Sequence, residues 1–137
     1  MRLWHKDLIS VLPDQQLIGQ WRECCAIARN IAVKGTPNHL LVNKVMDYPI
    51  EHFEAYTILV YVQLTKRGYK CKWNNFKKWI DSGTFGISHD ELFADWHDDR
   101  YLKQCFYNLQ EKCDCDGMNY FEYEKILNLM CKKGIKI

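Results

Sequence analysis

Residues 13–35 read PDQQLIGQWRECCAIARNIAVKG, and this stretch predicts the longest helix of the chain. Pro13 suits the first position of a helix, because the amide hydrogen that proline lacks would have no partner there. Lys34 followed by Gly35 is typical of a helix end. We therefore expect a helix from Pro13 to about Ile31 that is closed by Lys34 and Gly35.

The two faces of this helix differ in polarity. Apolar residues recur at helical spacing along one stripe, which we expect to face the core: Leu17, Trp21, Cys24, Cys25 and Ala28. A nearly opposite and mostly polar stripe contains Gln16, Gln20, Glu23, Ile27 and Asn30. Arg22 and Arg29 lie together on one flank of the helix. The pattern predicts that Glu23 faces solvent or a cleft and not the core.

The rest of the chain predicts three further main helices. One begins at Pro49 and ends at Gly68, with apolar residues at helical spacing between them. The next begins near Asp98, carries Leu102, Cys105, Phe106 and Leu109 inward, and is broken by residues 113–117. The last begins at Asn119, where Glu122 three residues later completes a capping-box pattern, and runs to Gly134.

The connecting segments contain weaker signals. We expect a loop with one helical turn over residues 35–48, a short helix over residues 70–80 and a turn over residues 81–86. No internal repeat and no convincing pair of strands is visible. The predicted fold is all-α, an irregular bundle of about four main helices in a single compact domain spanning residues 1–137.

Composition excludes several classes of protein. The chain has 137 residues and is 47% hydrophobic, which is typical of a globular domain. No apolar run approaches the roughly 20 residues that span a bilayer, so no membrane partner is expected. Asp7, Pro13 and Asp14 interrupt any signal-peptide core. Seven scattered cysteines without a secretion signal indicate reduced thiols, and we expect a cytoplasmic protein.

Two short patterns resemble metal sites but lack necessary ligands. Cys113 and Cys115 have no second close pair of cysteines or histidines, as structural zinc sites usually require. The Asp114–Gly117 segment resembles part of a calcium loop, but Lys112 and Tyr123 then occupy two ligand positions. We therefore expect no metal and no other cofactor.

Positive charge is concentrated in one segment, although the net charge is only +2. Residues 66–78 contain no acidic residue and interleave aromatic side chains with cations: Lys66, Arg67, Lys70, Lys72, Lys77 and Lys78. Cations neutralise phosphates and aromatic rings stack on bases, so this segment is a candidate nucleic-acid surface. The alternative is a helix end followed by a surface segment whose aromatic rings point into the core.

The start of the chain carries the features that point to chemistry. An α-amine is deprotonated near neutral pH more readily than a lysine, and an amine beside a carboxylate is the arrangement used in Schiff-base catalysis. The pattern of residues resembles the pyrimidine-dimer DNA glycosylase family, and its bacterial branch more closely than its phage member. The resemblance covers roughly residues 1–70, with a weaker trace at residues 97–109. It is carried by Met1-Arg2-Leu3, Leu12, Asp14-Gln15, Leu17, Arg22-Glu23 and Lys66-Arg67-Gly68-Tyr69.

The resemblance implies a DNA-repair glycosylase and abasic-site lyase that acts on damaged double-stranded DNA. In the family, the amine of the mature first residue attacks C1′ of the damaged nucleotide, and a carboxylate that corresponds to Glu23 assists. We expect Met1 to supply this amine, because a large second residue such as Arg2 disfavours removal of the methionine. An ungapped alignment instead places Arg2 opposite the family's nucleophilic residue.

The same resemblance implies where DNA is held. Arg2 and Arg22 would bind phosphates, for which the planar guanidinium is suited. Gln15 and Gln16 would lie near the substrate backbone, and Gln16 stands where the family often has a histidine, so no proton transfer is expected there. Further expected DNA contacts are Arg29, Lys66, Arg67 and Lys70, and His5 and His97 are expected either to line the cleft or to pack and cap.

Two other functions fit the sequence. The same helices could hold nucleic acid without chemistry, with Met1 covering the amine position. The domain could also bind a protein partner, for which Trp73, Phe76 and Trp79 would supply an apolar patch.

Overall fold

Helices and connecting segments make up the computed structural model, which describes residues 1–83 and 86–137 and contains no strand within those ranges. The all-α prediction is confirmed. Helix α1 spans Asp14–Lys34, α2 spans Ile50–Lys66, α3 spans Asn74–Lys77, α4 spans Asp99–Asp114 and α5 spans Tyr120–Lys132. Short 3-10 helices span Lys6–Leu8 and Asn43–Asp47, the second within the predicted loop.

The predicted ends of the four main helices lie within about three residues of the observed ones. Gly35 adopts a left-handed conformation with φ of 76°, and its amide donates to the carbonyl of Ile31, so α1 ends where expected. The Asp98 side chain accepts a hydrogen bond from the amide of Tyr101 and caps α4. Asn119 and Glu122 form the predicted capping box at the start of α5. The predicted turn over residues 81–86 includes Thr84 and Phe85, which lie outside the described residues.

The core forms where α1 packs against α2 and α3, and where α4 packs against α5. The four inward residues predicted for α4 are all buried. The first residues of the chain also enter the core: Leu3, Trp4, Leu8, Ile9 and Leu12 are buried with the helix faces. This burial fixes the path of the segment before α1.

The predicted division of α1 into an apolar and a polar face is wrong in part. Gln20 and Ile27, placed on the polar stripe, are buried, with 1% and 0% of their surface exposed. Gln20 is buried because the first residues of the chain fold back over this side of α1 and bind its side chain. Ile27 is buried because α1 packs against both α2 and α3, and its side chain lies in the hydrophobic core. Cys25, predicted for the core, is only half-buried.

The aromatic residues of the 70–80 segment point mainly inward. Phe76 is fully buried, and Trp73 and Trp79 are partly buried against the core. Because Phe76 is buried, it cannot contribute to the apolar surface patch considered for a protein partner. Across residues 1–83 and 86–137, no helix has both the length and the apolar character that crossing a membrane requires.

Candidate active site

The carboxylate of Glu23 lies beside the main chain of the second residue. The amide nitrogen of Arg2 is 3.3 Å from Glu23 Oε2, and the Gln20 side-chain nitrogen is 3.4 Å from the same oxygen. Glu23 is half-buried, so one side of the carboxylate is open. In the described part of the chain, the Met1 amine forms no ion pair within 4.0 Å. The nitrogen next to the candidate carboxylate is thus that of Arg2 and not that of Met1.

Gln20 holds the start of the chain in place. Its side-chain oxygen accepts a hydrogen bond from the Trp4 amide at 2.7 Å, and its nitrogen donates to the Arg2 carbonyl at 3.0 Å. One side chain therefore binds the main chain on both sides of Leu3. Because Gln20 lies one turn before Glu23 on α1, the same contacts fix the distance between Arg2 and the carboxylate.

Two tyrosines complete this arrangement. The Tyr56 hydroxyl donates to the Trp4 carbonyl at 2.6 Å and is 2.9 Å from the Gln20 side-chain oxygen. The Tyr101 hydroxyl donates to the Leu3 carbonyl. Burial raises the pKa of both hydroxyls, so both stay protonated and act as donors. Sequence reasoning missed the roles of Gln20, Tyr56 and Tyr101. The sequence offered one relevant signal, which is that the polar residue Gln20 lies one helical turn before Glu23.

His5 and His97 are interior residues in the structure. Their exposed fractions are 2% and 4%. His5 Nε2 lies 2.8 Å from the His97 carbonyl, and the Lys6 amide donates to His97 Nδ1 at 2.9 Å. Burial lowers the pKa of His97 to about 2, so its ring is neutral. These contacts fasten the first segment to the segment before α4, and neither ring lines an open cleft.

The arginines near Glu23 differ in their freedom. The Arg2 guanidinium carbon lies 5.4 Å from the centre of the Trp4 ring, which gives this half-buried side chain a cation–π contact. Arg22 is exposed, and it forms no ion pair within 4.0 Å in the described part of the chain. Arg22 can therefore meet a phosphate without first breaking an ion pair.

Gln15 and Gln16 lie at the amino end of α1 beside a separate hollow of about 500 Å³. Gln15 is exposed and Gln16 is half-buried. The Gln16 side-chain oxygen is buried without a hydrogen-bond partner among the described residues. The loop between α4 and α5 forms the opposite wall of this hollow through Asp116, Gly117 and Met118.

The expected contacts around Gly68 divide into two groups. Lys66 and Lys70 are exposed, as a DNA contact requires. Arg67 instead serves the fold: its guanidinium donates to the Leu12 carbonyl at 2.6 Å and to Asp14 Oδ1 at 2.8 Å. This bond lowers the pKa of Asp14, and a second one from the Tyr69 hydroxyl acts in the same direction. Arg67 joins the end of α2 to the start of α1.

Among residues 1–83 and 86–137, no three His, Cys, Asp or Glu side chains are grouped closely enough to hold a metal ion. All seven cysteines are free thiols.

Comparison with known proteins matches the chain to a family of enzymes. The model of a family described as pyrimidine dimer DNA glycosylase matches residues 1–77, which is more than half of the 137 residues. The matched part contains the whole arrangement around Glu23 except Tyr101 and the segment that holds His97. No curated relative and no solved structure matches the chain significantly.

Proposed function

Because the chain belongs to the pyrimidine dimer DNA glycosylase family, we propose that it cleaves the bond between a damaged pyrimidine and its sugar in DNA, through an imine formed by an amine at the start of the chain. The observation that carries this proposal is the 3.3 Å distance between the Arg2 nitrogen and Glu23 Oε2. An amine at this position would have a carboxylate within hydrogen-bonding reach, which is what such a reaction needs.

The reaction proceeds in two stages. The uncharged amine attacks C1′ of the damaged nucleotide, a bond forms between nitrogen and C1′, and the bond from C1′ to the base breaks with its electron pair leaving on the base. Loss of a proton from the nitrogen and opening of the sugar ring give the imine, from which a C2′ proton and then the 3′ phosphate are lost. Glu23 stabilises the positive charge that develops at C1′ and carries protons between these groups.

We assign the amine to Arg2, in a form of the protein that begins with Arg2, although the size of this residue disfavours ordinary removal of Met1. While Met1 is attached, the Arg2 nitrogen belongs to a peptide bond and is not a nucleophile. Once Met1 is absent, the same nitrogen becomes an α-amine that already lies beside Glu23. This assignment agrees with the ungapped alignment. The alternative, attack by the Met1 amine, requires the first residue to move toward Glu23.

Access to C1′ in a duplex requires that the DNA be distorted or a nucleotide extruded, at a cost of a few kcal/mol. In this proposal Arg22, which is exposed next to Glu23, binds a phosphate that flanks the distorted site. Gln15, Gln16, Lys66 and Lys70 remain proposed contacts for more distant parts of the backbone.

Borohydride trapping of two forms of the protein tests the proposal. One form keeps Met1, and the other is released from an amino-terminal fusion by a protease that cuts directly before Arg2. Intact mass confirms the first residue of each. We expect the form that begins with Arg2 to give a covalent adduct with ultraviolet-irradiated duplex and with abasic-site duplex, and its Glu23→Gln variant to give far less adduct.

Each other outcome has a defined meaning. An adduct with the Met1 form alone would assign the nucleophile to Met1. If neither form gives an adduct on either substrate, even at high protein concentration, the imine mechanism is excluded.

The same arrangement supports a second function. With Met1 in place, the Arg2 nitrogen belongs to a peptide bond and cannot act as the nucleophile. The protein would then hold DNA as a binding module. This alternative predicts affinity for duplex DNA that falls steeply with salt and is unchanged in Glu23→Gln.

A further inference from the structure

Two cations share one aromatic ring on the surface between α1 and α3. The guanidinium carbon of Arg29 lies 6.0 Å from the centre of the Trp79 ring, and Lys78 Nζ lies 5.5 Å from the same centre. Beside them is an open hollow of about 560 Å³, which Asn75 and the half-buried Cys25 also line. The ring holds both charges at the edge of the hollow.

Within residues 1–83 and 86–137, these two charges have no counter-ion on the protein. Arg29 and Lys78 are both exposed, and in the described part of the chain neither lies within 4.0 Å of a carboxylate. Neighbouring charges of the same sign repel each other, and this repulsion is relieved when an anion enters between them. Asn75 adds a neutral hydrogen-bond donor to the same hollow.

The cluster lies in line with the candidate active site. Arg22 and Arg29 are about two turns apart on α1, which corresponds to about 10 Å along the helix. Successive nucleotides of one DNA strand are about 3.4 Å apart along its axis, so this distance corresponds to about three nucleotides. With α1 parallel to the duplex axis, the phosphate about three nucleotides from the one at Arg22 lies level with Arg29 along that axis.

We propose that Arg29, Lys78 and Asn75 form a subsite for the phosphodiester backbone of duplex DNA, about three nucleotides from the lesion. Trp79 is a positioning residue, because both cations lie against its ring. The proposal rests on the proposed function for the place of the lesion, whereas backbone binding at this subsite requires no chemistry at Glu23.

The salt dependence of binding to a long, lesion-free duplex tests the subsite. Each lost phosphate contact reduces the slope of log affinity against log salt by about one. We expect Arg29→Gln and Lys78→Gln each to reduce the slope by about one, and the double variant by about two. Lys132→Gln is the matched control, since Lys132 is an exposed cation near the end of α5. Its slope should equal that of the unaltered protein.

Trp79 is tested with a conservative pair of variants. A cation–π contact at an exposed site is worth about 0.5–1 kcal/mol, which corresponds to a loss of about two- to fivefold in affinity. We expect this loss in Trp79→Leu at low salt and recovery in Trp79→Phe, with thermal unfolding showing that both variants are folded. Equal affinity for the two variants would remove Trp79 from the subsite.

Two further measurements separate the possible ligands and positions. Inorganic phosphate should compete only weakly with duplex DNA for the subsite, because it offers one contact where DNA offers several. Free phosphate that binds the subsite as tightly as DNA would overturn the DNA assignment. Damaged duplexes shortened stepwise from each end should lose affinity when about three nucleotides remain on one side of the lesion, and the double variant should be insensitive to this shortening.

Unchanged slopes in the charge variants, or an equal loss in Lys132→Gln, would overturn the subsite. The proposed function fails separately, through the absence of a trapped adduct, so the two results are distinguishable. Glu23→Gln should keep the full salt slope on lesion-free duplex, because the subsite acts through the backbone alone.

Discussion

The side-chain oxygen of Gln20 accepts a hydrogen bond from the amide of Trp4 at 2.7 Å, deep between α1 and the first residues of the chain. The same amide group of Gln20 also contacts the Arg2 carbonyl and the Glu23 carboxylate. Gln20 thus links the position of the proposed nucleophile to that of the proposed catalytic carboxylate, and the geometry of the site depends on a residue that need not touch DNA.

Replacing Gln20 with leucine should destabilise the protein. The substitution leaves the buried Trp4 amide without a partner, which costs about 1–3 kcal/mol in the free energy of unfolding. Chemical denaturation of Gln20→Leu measures this loss. Gln104→Leu, an exposed change on α4, serves as the control and should stay within about 0.5 kcal/mol of the unaltered protein. Equal stability of the two variants would show that the Gln20 contacts contribute little.

Arg67 should behave as a structural residue and Lys66 as a DNA contact, although they are neighbours. Arg67→Gln removes donors from the Leu12 carbonyl and from Asp14, and should lower the free energy of unfolding by about 1–3 kcal/mol. Lys66→Gln should leave stability unchanged and reduce the salt slope of DNA binding by about one. The opposite pattern, with Arg67→Gln changing only the salt slope, would refute this division.

Acid should release an ion-pair cluster around Asp7. Burial acts to raise the pKa of this carboxyl, but bonds from His89 and Lys133 outweigh it and lower the pKa from 3.8 to about 2. A carboxyl whose pKa is lowered by folding stabilises the protein fully above its unfolded value. That stabilisation is lost as pH falls from about 4 to about 2.

Asp7→Asn should therefore flatten the dependence of unfolding free energy on pH in this window. Asp47→Asn, a change at an exposed carboxylate in the second 3-10 helix, is the control and should keep the original dependence. If Asp7→Asn and the unaltered protein lose stability in parallel between pH 4 and pH 2, the cluster does not contribute to folding.

Cysteine reactivity should follow burial. Burial raises the pKa of Cys25 to about 11, and Cys24 and Cys105 are buried. Cys115 and Cys131 are exposed. Brief alkylation of the native protein at neutral pH, followed by peptide mass analysis, should label Cys115 and Cys131 first. Early labelling of Cys24 would show that α1 opens in the native state.

Much of the fold could be predicted from local signals. Pro13 and Gly35 bound α1, and Asn119 with Glu122 starts α5, because proline, glycine and capping side chains act within a few residues of their own position. The environment of Gln20 could not be predicted in this way. Its partners, Trp4 and Tyr56, are distant in sequence, and helical spacing alone assigns a glutamine to the polar face.

The candidate site shows the same limit. The resemblance paired Glu23 with the start of the chain and favoured Met1 as the amine, whereas the ungapped alignment favoured Arg2, whose nitrogen is the one that lies beside the carboxylate. Arg67 illustrates a different limit, because its place in a basic segment predicts a DNA contact, while the fold also gives this side chain contacts with Leu12 and Asp14. Charge in a sequence does not show whether the fold already provides its partner.

The most direct test of the central claim is peptide mapping of the borohydride-trapped complex by tandem mass spectrometry. The protein that begins with Arg2 is trapped on abasic-site duplex, digested, and searched for the residue that carries the reduced sugar remnant. We predict that the remnant lies on the α-nitrogen of Arg2, and that Glu23→Gln lowers its yield. A remnant on a lysine side chain, or no remnant when the intact mass confirms Arg2 as first residue, would contradict the account.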